Sequence, residues 1–260
     1  MKIPGMMSAG ERQKFILDEL YAKTYVEVNQ LSEQLNVTGA TIRKDLSYLE
    51  DQKLLIRSHG VATLVRPVVF DECASEKAKK NSEEKAIIAR KAASLIDTKD
   101  DILMSSGSTI TAFARMLHPE EQINVVTPSL EVAFELMSRK NVKVTLLGGV
   151  VYDTSLSVRG PFTTDGLKNI NCSKLFISCD GIDPENGISC ACSEEAHLMQ
   201  VMMSVSSKTI VLADSSKFGR RGFGKICNLE DVDILITDSG ITPSFQDLLD
   251  KIGVYVIIAE

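Results

Sequence analysis

Three short stretches carry side chains that could together hold a phosphorylated sugar. In "SSGSTITAFARML" (105–117), Gly107 lets the backbone turn tightly and Ser108 and Thr109 open an apolar-periodic segment, with Ser105 just upstream. The free N–H groups at the start of a helix there, with two hydroxyls beside them, suit a phosphate monoester. The lysine of a G-K-[ST] nucleotide loop is absent. "FISCDGIDPENGIS" (176–189) sets Asp180 and Gly181 just past an apolar run, and Asp180 and Asp183 can accept hydrogens from sugar hydroxyls. "VLADSSKFG" (211–219) does the same with Asp214, Ser216 and Lys217, and Lys217 can supply the cation that the first loop lacks. "EEAHLMQ" adds Glu194 and Glu195 at a helix start, where capping is the alternative role. Each loop alone also reads as an ordinary strand-to-helix turn. Converging on one edge of a sheet, they read as a site.

A second constellation lies near the N-terminus, in "NVTGATIRKDLSYLE" (36–50). Thr38 is a good N-cap, and Ile42, Leu46 and Leu49 stand at the spacing of one buried helical stripe. Thr41 adds a second hydroxyl. Ala40, Arg43, Lys44 and Ser47 then point away from the core, and Gly39 and Ala40 permit close approach of another surface. The chain has 29 Lys and Arg against 35 Asp and Glu, so it is acidic overall. Residues 1–66 hold nine basic and eight acidic side chains, while the rest hold 20 and 27. That balance excludes wholesale coating of phosphates and leaves local contact through a few placed residues.

The elements that position these residues fall into two sets. "ERQKFILDELYAK" (11–23) puts Phe15, Ile16, Leu20 and Tyr21 on one side of a helix, and Val28, Leu31 and Leu35 mark a second helix over about 27–35. The third runs from 39 to about 52, and two helices joined by a tight turn form a helix-turn-helix whose last member can enter a major groove. "KLLIRSHGVATLV" (53–65) reads as a hairpin turning at Ser58-His59-Gly60, a wing that places Arg57 and His59 along a nucleic-acid backbone. Residues 67–82 turn polar and charged and read as a linker. From 83 to 260, helices alternate with short β-branched strands ("DILM", "INVVTPS", "VKVTLLGG", "KLFISCDG", "TIVLAD", "VDILITD", "VYVIIAE"), the pattern of an α/β domain with a largely parallel sheet. Ligands of such sheets sit beyond the carboxyl ends of the strands, where the three polar loops fall. No apolar run approaches a membrane span and the N-terminus lacks a signal peptide's apolar core, so a cytoplasmic protein without membrane contact is expected. Six scattered cysteines suit buried, reduced thiols, and Cys190-Ala-Cys192 has no partner pair at zinc spacing. No metal and no cofactor are expected.

The first 66 residues resemble the winged helix of the DeoR-type bacterial repressors of sugar operons, through "V-T-G-A-T-I-R-K-D-L" and the wing that follows. Lys44 stands where a second Arg is usual, and Val61 replaces the second wing glycine. The "G-S-T", "D-G-I", "E-A" and "D-S-S-K-F-G" elements resemble, in order, that family's effector domain, which is similar to the ribose-phosphate isomerase fold. The resemblance covers nearly the whole chain. It implies that Gly107, Ser108 and Thr109 hold a phosphate, that Asp180, Glu195 and Lys217 contact the sugar or complete the phosphate site, and that Gly148-Gly149 is the family's glycine pair. Ser105 and Pro128 depart from the residues usual in the family. The implied function is a DNA-binding repressor of a carbohydrate operon, without catalytic residues, released from double-stranded operator DNA by a phosphorylated sugar. A homodimer or homotetramer is expected, because one winged helix contacts few bases. The alternative is an isomerase-like enzyme carrying a DNA-binding domain. "DPENGISCACSEEA" lacks the lysine and glycine run that such an enzyme would carry after its D-G-x-D.

Overall fold

The computed structural model describes residues 7–23, 25–52, 54–58, 60–64 and 73–260. Contacts divide the chain into a smaller and a larger compact unit.

The smaller unit begins with α1 (Ala9–Lys23), β1 (Tyr25–Glu27), α2 (Val28–Gln34) and α3 (Gly39–Asp51), and continues into β2 (Leu55–Ser58) and β3 (Val61–Leu64). Its core takes Ile16 and Leu20 from α1, Leu31 from α2, the Ile42-Leu46-Leu49 stripe from α3, and Leu55 and Ala62 from the hairpin. The stripe buries because 3.6 residues per turn returns those side chains to one face. Thr38 caps α3, its Oγ1 accepting from Thr41 N at 3.3 Å. The sheet order is β1-β3-β2, all antiparallel, so β1 adds a third strand to the wing. Asp45 is only 3% exposed on α3 and accepts from Arg12 of α1, Nε at 2.7 Å and Nη2 at 3.2 Å. This bidentate pair pins α1 across the third helix.

The larger unit opens with α4 (Ala74–Lys79) and α5 (Ser82–Ala93), followed by β4 (Asp101–Met104), α6 (Ser108–Met116), β5 (Ile123–Thr127), α7 (Leu130–Leu136) and β6 (Val142–Leu146). Next come β7 (Val150–Tyr152), β8 (Ser157–Arg159), α8 (Pro161–Leu167), β9 (Lys174–Ser178), β10 (Gly181–Asp183) and β11 (Gly187–Cys190). The chain continues through α9 (Ser193–Ser204), β12 (Thr209–Leu212), β13 (Gly224–Cys227), β14 (Ile234–Asp238), α10 (Pro243–Ile252) and β15 (Tyr255–Ala259), and of these only residues 242–248, most of α10, group with the smaller unit. The seven strands legible as β-branched runs form one sheet of order β15-β14-β12-β9-β4-β5-β6, and every pairing in it is parallel. Two smaller antiparallel sheets, β10-β11-β13 and the β7-β8 hairpin, were not anticipated. The core lies between α5, α6 and the sheet, where Phe113 meets Phe176 with ring centroids 4.7 Å apart.

The strand order decides where a ligand can sit. From β4 the chain winds outward through β5 to β6, then returns to the other side of β4 with β9 and winds the opposite way through β12. The reversal between β4 and β9 opens a crevice at their carboxyl ends. The three polar loops leave β4, β9 and β12, which are neighbours in the sheet.

One boundary differs from the sequence reading. Residues 74–79, expected within a linker, form α4. Ala74 N donates to Thr154 O at 2.8 Å, and Lys77 Nζ to Asp180 Oδ1 at 2.8 Å. The charged composition of this stretch reflects a short helix lying over a polar pocket.

Candidate functional site

The crevice holds a pocket that brings together Gly107, Ser108, Thr109, Asp180, Glu195 and Lys217, all expected from the sequence. Gly107 has φ +119°, which favours glycine at the turn into α6, and a Cβ there would also press on Ser178 Oγ at 2.4 Å. The first-turn N–H groups of α6 lie at the mouth of this turn, where they carry the positive end of the helix dipole. Lys217 follows the Asp214-capped turn after β12, with its backbone N donating to Asp214 O at 3.0 Å. Among the described residues the Lys217 ammonium has no ion-pair partner.

Two expected residues stand behind the wall instead of on it. Ser105 is 1% exposed, and its Oγ bridges Ser106 O at 3.1 Å and Ser178 N at 3.4 Å, tying β4 to β9. Gly181 is buried where a Cβ would come within 2.5 Å of Arg220 O, so it serves close packing. Asp183 is also structural. Its Oδ1 accepts from Glu185 N, Asn186 N and Asn186 Nδ2 at 2.8–3.0 Å, closing the β10-β11 hairpin.

The pocket also contains groups that sequence reasoning missed. Lys77 reaches in from α4 and pairs with Asp180, whose Oδ2 accepts from Ala191 N at 3.1 Å. Lys85 of α5 is 5% exposed and donates to the carbonyls of Lys77 and Lys80 at the end of α4. Burial pushes its pKa below the usual lysine value. Asp214 opposes that fall, while the neighbouring charges of Lys217 and Lys77 add to it. Three ammonium groups therefore gather in one region, with Asp180 paired to Lys77 and Asp214 acting on Lys85, and a bound anion would be favoured by all three. On the opposite wall Glu195 accepts from Ser106 Oγ and from Arg159 Nη2, both at 3.2 Å. Burial raises the Glu195 carboxyl above its usual range, with Arg159 pulling against it and Asp180 adding to the rise. Arg159 is 2% exposed, donates to Ser155 Oγ at 2.9 Å and Cys192 Sγ at 3.0 Å, and lies 4.6 Å from the Tyr152 ring centroid. The Cys179 and Cys190 thiols line the pocket with pKa values raised by burial, as suits inert thiols.

In the smaller unit, Ala40, Arg43 and Lys44 are exposed on α3, with Gly39, Thr41 and Ser47 partly so. Thr38 is exposed but already engaged as the cap. Arg57 Nε donates to Glu50 Oε2 at 2.7 Å and Nη1 to Arg43 O at 3.4 Å, so it fastens the wing to α3. Hydrogen bonds from the Arg57 side chain and from its backbone N, the latter at 3.0 Å, hold the Glu50 carboxyl below its usual range. His59 lies outside the described residues. Tyr48, half exposed on the outer side of α3, was not singled out from the sequence.

Residues 12–68 match the DeoR-like helix-turn-helix domain, and residues 80–239 match the DeoR C-terminal sensor domain. The chain is 37% identical over 246 residues to the uncharacterized HTH-type transcriptional regulator YulB of Bacillus subtilis, covering 94% of this chain and 95% of that one. It is 33% identical over 255 residues to a putative aga operon transcriptional repressor of Escherichia coli O157:H7, covering 95% and 93%. It is 33% identical over 252 residues to the transcriptional repressor GlcR of B. subtilis, covering 96% of each. Among solved structures it is similar to ribose 5-phosphate isomerase A of Methanocaldococcus jannaschii, with TM-score 0.41 and 16% identity over 54% of this chain and 55% of that one. These relatives are named regulators or repressors, which sets the enzyme alternative aside. With both domains matched and relatives above 30% identity spanning almost the full chain, this protein belongs to the DeoR family of helix-turn-helix transcriptional regulators.

Proposed function

We propose that this regulator represses a carbohydrate-utilisation operon and leaves its operator when a phosphorylated sugar binds the pocket at the β4-β9 crevice. One observation carries the reading: the N-terminus of α6 and the ammonium groups of Lys77, Lys85 and Lys217 surround the same pocket as Asp180 and Glu195. Backbone N–H groups and cations suit a phosphate, and carboxylates suit hydroxyls. The cavity has room for about 40 Å3 as it stands. A site for a small molecule spans roughly 300–1,000 Å3, so loading requires wall groups to move. Lys77 is the group to give way, because its ammonium occupies the carboxylate that a sugar hydroxyl would use. Relatives named repressors of the aga operon and of a lactose phosphotransferase system agree with this reading. The protein acts in the cytoplasm as at least a dimer on paired half-sites.

The test is operator affinity with and without glucose 6-phosphate, fructose 1-phosphate, fructose 6-phosphate and ribose 5-phosphate, for the natural protein and Lys217→Ala. A 100-fold weakening requires the ligand to favour the released state by about 2.7 kcal/mol. Lys217→Ala is expected to bind the operator normally and to resist release. An equal response at the same ligand concentration would place Lys217 outside the ligand's contacts and make its loop a structural turn.

Operator contact is expected through Thr38, Gly39, Ala40, Thr41, Arg43, Lys44 and Ser47 at the start of α3, with Arg57 and His59 at the wing. Arg43→Ala is expected to cost about 1–3 kcal/mol and to relax preference at one base if it pairs with that base. If Arg43 meets only phosphate, affinity falls evenly across sequences and the salt slope shrinks. Gel shifts at two salt concentrations separate these outcomes. Undiminished affinity in both Arg43→Ala and Lys44→Ala would remove α3 from the interface.

A further inference from the structure

We propose that the face formed by β7, α8 and the groove between α8 and α9 binds a second copy of this chain, with Phe162 of each copy entering the groove of the other. The inference rests on the repressor reading for its choice of occupant, since a winged helix on paired half-sites needs a partner of its own kind.

Phe162, the second residue of α8, is 81% exposed. Beside it lies a groove of about 400 Å3 lined by Tyr152, Arg159, Pro161, Thr164, His197 and Leu198, among others. Projection and cavity thus share one helix. A two-fold axis near α8 would bring each Phe162 to the other copy's groove, which is the self-complementarity that an isologous contact requires. The surrounding surface extends the match. Val150 and Val151 of β7 and Leu146 of β6 are exposed, joined through Gly148 and Gly149, and Thr163 Oγ1 of α8 donates to Gly148 O at 2.8 Å. Phe134 and Met137, three residues apart at the end of α7, are also largely exposed, and α7 packs beside β6. Summed one by one, the six apolar side chains present on the order of 700 Å2, close to the about 800 Å2 that each partner contributes to a stable interface.

The face is also wired to the ligand pocket. Arg159 lines the groove, yet its guanidinium is bonded to Ser155 and Glu195, which line the pocket. Its buried Nε has no partner among the described residues, so the guanidinium has a donor in reserve when its set of partners changes. A ligand hydroxyl that engages Glu195 shifts Arg159 and thereby the floor of the groove. Pocket occupancy then alters how two copies sit together.

Sedimentation of the full chain from 0.1 to 100 µM, without DNA or sugar phosphate, tests the surface. Phe162→Glu is expected to raise the dissociation constant at least 100-fold, and Phe223→Glu, similarly exposed but on a loop elsewhere, to leave it unchanged. Val151→Lys reads the same face if the first variant fails to fold. A natural chain that is monomeric throughout, or face variants that associate like the natural chain, would overturn the proposal. Because no ligand or operator is present, this result stands apart from the test of the repressor reading.

Discussion

Replacing Leu46 with Ala is expected to abolish operator binding by unfolding the DNA-binding unit while the sensor melts as before. Leu46 is 1% exposed and packs among Ile16, Leu20, Leu31, Ile42, Leu49 and Leu55. Truncating a buried leucine costs about 2–5 kcal/mol through lost transfer energy and the cavity left behind. Whole domains are stable by only about 5–15 kcal/mol, and a unit this small has few other apolar contacts to compensate. The loss would also free α3 to rotate, scattering Arg43 and Lys44. Limited proteolysis and circular dichroism check the outcome together. Rapid cleavage before residue 73 with a persistent sensor transition is the expected pattern. A protease-resistant head in the variant would mean that α3 packs through a different face.

The second large effect is expected at Arg159. Arg159→Ala removes the cation bonded to Glu195, which keeps a buried carboxyl with Ser106 as its one side-chain hydrogen-bond donor among the described residues. Breaking a buried pair from one side costs about 3–5 kcal/mol, equivalent to a melting temperature roughly 10 °C lower for a domain of this size. The double variant Arg159→Ala with Glu195→Gln should recover part of that loss, because the orphaned charge is gone. The defect also carries a pH signature. The folded carboxyl already titrates above its unfolded value, so the folded state holds the proton more tightly and stability falls as pH rises through that window. Without Arg159 the window widens upward. The variant should therefore be most impaired at neutral and alkaline pH and should approach the natural protein as pH falls below the carboxyl's raised range. Thermal melts across pH measure this. A defect independent of pH would assign the loss to packing of the arginine stem alone.

Local patterns explain what could be read in advance. Ile42, Leu46 and Leu49 repeat at helical spacing, so the buried and outward faces of α3 follow from the chain itself. The parallel strands announce themselves as short β-branched runs, and each run that ends in Gly, Ser or Asp marks a loop at the ligand edge. Residues defined by distant contacts were silent. Lys77 lies 103 positions from Asp180 and sits in a stretch whose composition is that of a linker. Lys85 looks like one more charge on the helix "SEEKAIIARKAA", and the two carbonyls at the end of α4, with the Asp214 charge, make its burial tolerable. Asp45 reads as a solvated helix residue until Arg12 arrives from α1, 33 positions away. Asp183 misled in the other direction, because a carboxylate after a strand serves a hairpin as readily as a ligand.

The tie between Lys85 and α4 bears on whether the sensor can be exchanged as a module. The segment shared with other sensors of this kind begins at residue 80 and ends at 239. Cut at those limits, the fragment loses α4, and with it the Lys77 carbonyl that satisfies the Lys85 ammonium. It also loses β15, which pairs with all five residues of β14. The newly bare edge, "ILITD", is apolar and largely buried in the intact sheet, the kind of edge that templates aggregation. A chimaera that keeps this sensor's chemistry must therefore be joined upstream of residue 73 and carried through to the last strand, so that the transferable unit is longer at both ends than the segment its relatives share.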